Sequence, residues 1–461
     1  MRFLGKTNFF TNPTLMMMTS LVLKFGTGIL ILPLILVFFD LNEQTLWFVL
    51  SIVNGSILIV DSGFGPTLTR ATSYFYGGLK NLDNLNLPTR IDTKPNTEGL
   101  GNLISTFNKV YLVIGFFGLF VSYFLSILLS KGISSFFDDK TIIICSILIS
   151  LKFFISINVV KLSSILQGIQ QLAFQKKIES FIEISRIILL SLSIILFSSI
   201  KVYFFVELLV SITSFVIFFL LLKKKLIYYN LNSRNRKYFD KKLFKRLWLP
   251  TWKFGLMQYG SFASSQSNSI IVAQIPDPLL ISSYIFSVKI LNMVRQISQA
   301  PMNAYMPEIF KLFSMNKFKS IKILSIKKIR FGIIIFLVLS SLILVFGNKV
   351  LDLLSFEAQL LDFYLLLILS VATLLELHHS FHAQLYISSN KVPFLIPAIY
   401  TGVLIFTFSY YLIGTYGLIA IVLCQLIVKA SLNNWYPVFK SFKLFKWNFK
   451  NYFKNLIFYG I

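Results

Sequence analysis

The feature that most constrains this 461-residue chain is a succession of apolar runs separated by short charged stretches. Each run is about the 20 residues that an α-helix needs to cross the hydrocarbon of a bilayer. Lipid offers no partner for backbone N–H and C=O groups, so such runs are helices, which satisfy those groups internally, and not strands of an open sheet. Read with that ruler, the sequence predicts twelve spans, near 13–39, 45–76, 107–130, 140–168, 177–199, 202–222, 250–275, 279–308, 328–347, 357–388, 393–412 and 415–438. Composition agrees: 56% of residues are hydrophobic and 13% charged, with 49 Phe, against roughly 45–50% apolar and 25% charged in soluble domains. The expected fold class is therefore an all-α integral membrane protein. Cys145 and Cys424 fall inside apolar runs and read as small buried hydrophobes, so no disulfide framework is expected.

The loops sort into two alternating sets. One carries Lys80, Arg90 and Lys94, then Lys176 and Lys177, the basic stretch from Lys223 to Arg246, Lys311 through Arg330, Lys391, and Lys440, Lys443, Lys446, Lys450 and Lys454 near the C-terminus. The other carries Asp40, Glu43, Asp138, Asp139, Asp277, Asp352 and Glu357 against only Lys131, Lys140, Lys201 and Lys349. Basic loops face the cytoplasm, so both termini are expected there. The apolar run after Arg2 and Lys6 is too long for a signal peptide and carries Lys24, which makes Met1 the expected mature end. The net charge of +26 is thereby explained by topology and by attraction to anionic headgroups, and no nucleic acid is expected. Residues 223–250 divide the chain into an expected six-helix bundle at 1–222 and a second, with a basic tail, at 251–461. Six plus six with a cytoplasmic hinge is a usual transporter organisation. The loop after span two, "GGLKNLDNLNLPTRIDTKPNTEGLG", lacks the Gly-Asp-basic motif of major-facilitator proteins, which favours a different twelve-helix family.

Ionisable groups at bilayer depth are expensive and normally face a protein interior or a watery cavity. Lys24, Lys152, Lys289 and Arg295 lie deep in spans one, four and eight, with Asp61 central in span two and Arg70 nearer its cytoplasmic end. Arg70, Lys161 and Lys253 also read as side chains that snorkel to the interface, and Asp61 as a structural partner for Lys24. The surplus of deep cations over acids predicts a cavity that admits an anion, lined by Lys24, Asp61, Arg70, Lys152, Lys289 and Arg295. Polar stretches such as "QYGSFASSQSNS" at 258–269 serve either as interhelical glue or as a lining for hydroxyl-rich cargo. Gly63, Gly65 and Pro66 are expected to interrupt span two, and Pro301 and Pro307 to interrupt span eight in the same way. Matching interruptions point to a central site. In "ELHHSFHAQ", His378 and His382 share a helix face near Glu376, a candidate for proton or ion coupling. The plainer reading is a polar end to a long helix, and no metal is expected there.

The segment "DSGFGPTLTRATSYFYGG" at 61–78, with the preceding "SIVNGSILIV" and the "LKFGTGILILPL" of span one, resembles the Wzx-type polysaccharide flippases of the multidrug/oligosaccharidyl-lipid/polysaccharide exporter superfamily. The resemblance implies two six-helix bundles that alternate between inward and outward access. It further implies a cargo of undecaprenyl-diphosphate-linked oligosaccharide, an O-antigen or related repeat unit, moved across the bacterial inner membrane. Membrane lipids, a polysaccharide polymerase with its chain-length machinery, and a proton or sodium gradient are the partners it suggests, with no cofactor. A cation-coupled multidrug exporter of the same superfamily is the first alternative, although the deep charges read as mainly positive. A polytopic glycan polymerase or ligase is the second, disfavoured by short external loops and by the lack of a nucleophile–base constellation or paired loop carboxylates.

Overall fold

The computed structural model describes residues 13–78, 95–228, 239–314, 317–388 and 394–450, together with 452 and 456. Every regular element among the described residues is helical. Two compact units divide the chain, Met1–Gln258 and Tyr259–Ile461.

The first unit holds α1 (Pro13–Phe38), α2 (Leu41–Gly55), α3 (Ile57–Asp61), α4 (Phe64–Tyr76), α5 (Thr97–Leu129), α6 (Asp139–Gly168), α7 (Leu172–Phe197), α8 (Ile200–Tyr228) and the start of α9 (Lys241–Val272). The second holds the rest of α9, then α10 (Pro278–Ser314), α11 (Phe318–Leu353), α12 (Phe363–Ile387), α13 (Leu395–Val428) and α14 (Asn434–Phe445). The basic stretch read as a linker is helical at both ends, since α8 runs to Tyr228 and α9 begins at Lys241.

Several acids of the loops have a local task. Asp40 accepts the Glu43 N–H at 2.7 Å, Asp240 that of Leu243 at 3.0 Å and Asp277 that of Leu280 at 3.0 Å. Each satisfies a backbone donor that the first helical turn leaves open, and a carboxylate there also meets the positive end of the helix dipole. Asn96 does the same for α5 through the Gly99 N–H at 2.9 Å.

Among the described residues, eight helical segments are long and apolar enough to cross a membrane by length and composition. Helices α9 and α10 are not among them; their Ser, Asn, Gln and basic residues lower the hydropathy of otherwise apolar stretches. Apolar side chains face outward along the spans, as Phe116, Phe120 and Phe124 do on α5 and Leu342, Val345 and Phe346 on α11. Hydrocarbon, not water, is the solvent for such a surface, so exposing them costs nothing.

Span two is broken, as expected: α3 ends at Asp61, and Ser62 and Gly63 turn through the left-handed region at φ 49° and 78° before α4 begins. The expected break in span eight is corrected. Helix α10 runs without interruption through Pro301 and Pro307. A proline forfeits one i→i−4 bond, and close packing on this stretch offsets the loss. Gly332 of α11 admits the Ser298 carbonyl so closely that a Cβ there would lie 2.5 Å from it, while Met302 is fully buried. The last two expected spans meet within α13, and the kink lies a few residues into the second of them, at Gly417, with φ 61° and ψ −148°. Only glycine occupies that region without strain.

The core of the first unit gathers Phe64, Leu68, Phe107, Tyr111, Phe153, Leu166 and Phe218 from α4, α5, α6 and α8. That of the second gathers Met302, Ile329, Phe336, Leu377, Phe381 and Phe445. In the second unit small residues bring α9 against α13: a Cβ on Gly260 would lie 2.6 Å from the Ala398 backbone carbon, and one on Gly402 2.7 Å from the Ala263 Cβ. Without a hydrophobic force between helices in lipid, such close approach is what packing relies on. Gly260→Ala is accordingly expected to cost about 1–3 kcal/mol by overpacking. Gly414→Ala, where a Cβ meets nothing within 4 Å, is expected to be neutral or stabilising, and thermal unfolding of the two purified variants checks the contrast.

Candidate functional site

At the break in span two, Asp61 is buried and both carboxylate oxygens are occupied. Oδ2 accepts the Gly65 N–H at 2.9 Å and Oδ1 accepts the Tyr111 hydroxyl at 2.7 Å. The acid that opens the "DSGFGP" motif therefore caps the resumed helix and ties it to α5. Its observed partners are these two donors, whereas the Lys24 side chain, its expected partner, lies outside the described residues. Gly65 fits closely in this arrangement: a Cβ would come within 3.2 Å of Asp61 Oδ2 and 3.3 Å of Ser164 Oγ, so a larger residue requires those side chains to shift. Helices α4 and α6 thus lie side by side, with Gly168 abutting Thr72 further along.

Lys152 is not a surplus cation. Its Nζ forms a buried ion pair with Glu207 of α8 and donates to Asn54 Oδ1 at 3.0 Å. The sequence reading missed Glu207, as it missed Glu179 and Glu183 of α7. The signal was available, since Glu207 is the lone acid of the apolar run "YFFVELLV". Its partner, 55 positions away, follows only from helix packing. Lys161, expected to snorkel, is instead buried on α6, with Asn158 Oδ1 at 3.3 Å and no acid against it among the described residues. Arg70 is exposed on α4, where Pro66 one turn earlier is exposed too, and it has no ion-pair partner among the described residues.

The first unit also contains a cavity of about 400 Å³ with a mixed lining: Glu179, Glu183, Arg186, Ser156, Ser211 and Ser214 supply its polar groups, and Val159, Ile182 and Phe218 most of its apolar wall. Arg186 Nη1 donates to both carboxylate oxygens of Glu183, at 3.0 and 3.1 Å. Glu179 accepts from Lys176 at 2.8 Å and from Ser20 at 3.0 Å. A chamber of this size with paired charges and hydroxyls can meet a polyhydroxylated or cationic group without leaving one sign of charge unmatched.

In the second unit, Arg295 of α10 lies 3.4 Å from Glu376 Oε1, and Lys429 lies 2.5 Å from Oε2. One carboxylate thus bridges two cations from helices far apart in sequence. Lys289, one of the expected cavity cations, is half-buried on α10. His378 and His382 converge on one oxygen: their Nε2 atoms lie 3.1 and 2.9 Å from the Tyr452 hydroxyl, while His382 Nδ1 meets Ser441 Oγ at 2.7 Å. Burial holds the Tyr452 phenol above its usual range, so it stays a hydroxyl shared between the two imidazoles. His379 turns away to the Asn433 carbonyl at 2.6 Å. These histidines pin the C-terminal segment to α12, and among the described residues no group of three metal-binding side chains forms.

With this geometry in view, comparison with known proteins places the fold. No protein-family model and no curated protein matches the sequence. Solved structures do. An inward-facing multidrug resistance MATE transporter of the MOP superfamily superposes with a TM-score of 0.64 at 13% identity, covering 93% of this chain and 95% of that one. An outward-facing MATE structure gives 0.60 at 13% identity, covering 94% and 95%. A MOP superfamily transporter from Pyrococcus furiosus, described as having a reversed polarity of its binding pocket that suggests a different function, gives 0.59 at 13% identity, also covering 94% and 95%. The chain thus has the fold of MATE transporters.

Replacing Asp61 by Ala strands two buried donors, each costing about 1–3 kcal/mol, whereas Tyr111→Phe removes a single donor. Thermal unfolding is expected to rank Asp61→Ala as clearly the more damaging of the two.

Proposed function

We propose that this protein is a transporter of the bacterial inner membrane that moves an undecaprenyl-diphosphate-linked oligosaccharide from the cytoplasmic to the outer leaflet by alternating access. The observation that carries this reading is the pair of cations on adjacent helices α4 and α6 without acidic partners among the described residues, Arg70 exposed and Lys161 buried. A buried lysine with only an amide oxygen for company is costly to maintain, and a diphosphate head group supplies the missing negative charge. The serine-lined cavity of the first unit offers hydroxyl partners for a glycan. The resemblance of residues 61–78 to polysaccharide flippases supports the same cargo, and the MATE-type fold supports alternating access.

A second reading, a cation-coupled multidrug exporter, is favoured by Glu179 and Glu183 in that cavity and by structural neighbours described as multidrug resistance transporters. Gene deletion and complementation separate the two. Flippase action requires lipid-linked repeat units to accumulate in the deletion strain and surface glycan to disappear; drug export requires hypersensitivity to cationic drugs with surface glycan intact. Under the flippase reading, Lys161→Met and Arg70→Ala lower glycan export about tenfold or more, equivalent to some 1.4 kcal/mol, at normal protein level. Wild-type export by both variants contradicts the cationic contact.

A further inference from the structure

The C-terminal unit carries a second basic feature that the transport reading does not use. Helix α14 is amphipathic: Pro437, Val438, Ser441, Phe442 and Phe445 are buried, while Phe439 is 63% exposed and Lys443 is exposed. Lys446 ends the helix in the left-handed region at φ 50°. The chain then folds back, with the Trp447 N–H donating to the Phe442 carbonyl at 2.9 Å. This return presents Lys446, Phe449 and Lys450 to the outside. It is held from beneath by Tyr452, gripped between His378 and His382.

The start of α11 joins the same surface. Phe318 and Ile321 pack in one core with Phe445, and Lys322 Nζ donates to the Lys446 carbonyl at 2.9 Å. Lys317, Lys319 and Lys327 are exposed there. Two basic segments, tied by a contact across 124 positions, thus form one plate, and neither 317–330 nor 429–450 contains a single Asp or Glu.

We infer that this plate, built from α14, the returning tail and the start of α11, is a docking surface for anionic phospholipid headgroups at the bilayer surface. Two observations select lipid over a soluble acidic protein. The plate gathers the lysine-rich ends of two candidate membrane spans, Phe318–Leu353 and Leu395–Phe445, and the basic end of a span is where a chain meets anionic headgroups. Its exposed aromatics, Phe439 and Phe449, lie among the exposed Lys443, Lys446 and Lys450, the combination by which an interfacial surface sinks rings into the acyl boundary while cations meet phosphates. The histidine–tyrosine clamp makes the surface preformed, so binding does not require the tail to become ordered. This inference stands independently of the cargo.

The test is native mass spectrometry of the full chain in neutral detergent, titrated with phosphatidylglycerol or with phosphatidylcholine, for the wild type and for a variant carrying Lys319→Gln, Lys443→Gln, Lys446→Gln and Lys450→Gln. The wild type is expected to retain phosphatidylglycerol at least about tenfold more tightly than phosphatidylcholine, and the fourfold variant to lose most of that preference. Phe439→Ser with Phe449→Ser is expected to weaken both lipids alike. An unchanged preference in the fourfold variant, or no preference in the wild type, overturns the proposal. Displacement of phosphatidylglycerol by inorganic pyrophosphate at equal charge also overturns it, since that assigns the surface to a diphosphate ligand. Unaltered thermal unfolding of the variants excludes misfolding as the cause of a loss.

Discussion

A charge placed at hydrocarbon depth must find an opposite charge, a full set of hydrogen bonds, or water. Much of this protein's interior is arranged around that requirement. Lys152 is answered by Glu207, Arg186 by Glu183, and Arg295 together with Lys429 by Glu376. Asp61 is answered by two neutral donors. Each of these links lies within one unit, and most join different helices. They fix which faces of otherwise uniformly oily helices meet, a specification that Leu and Phe alone do not supply.

Against that background the exceptions carry the functional argument. Lys161 and Arg70 have the residue type of the paired cations but no acid opposite them among the described residues. Both flank the interrupted second span, where Asp61 holds the break open and Gly65 and Gly168 let α4 and α6 approach closely. The interrupted span carries Arg70, and α6 packed beside it carries Lys161, each without an acid against it among the described residues. The cavity beside α7 has the opposite character: Glu183 is matched by Arg186 and Glu179 by Lys176, so its charges are paired.

The large-scale architecture was legible in the sequence because it depends on solvent. Apolar run length and the helical requirement of lipid suffice for an all-α membrane protein, and the Gly-Pro cluster after Asp61 is sufficient to expect a broken helix. The failures share one cause. Pro301 and Pro307 promise a break that neighbouring helices suppress, and Lys161 has the reach to snorkel yet is enclosed. Lys152 looks surplus until helix packing brings Glu207 to it. Partner identity is a tertiary property, and hydropathy, which treats each helix alone, is blind to it. Gly417 went unread for a related reason: a lone glycine in an apolar run signals a turn only once its backbone angles are seen.

The central claim is that the deep opposite charges are structural pairs, which sets apart Lys161 and Arg70, the cations with no acid against them among the described residues that carry the functional argument. A double-mutant cycle on Lys152 and Glu207, read by thermal and denaturant unfolding, tests it most directly. Lys152→Met alone is expected to cost about 3–5 kcal/mol, because it leaves a buried carboxylate uncompensated, and adding Glu207→Leu is expected to recover most of that loss. A single variant as stable as the wild type, or a double variant no better than the single, would contradict the account.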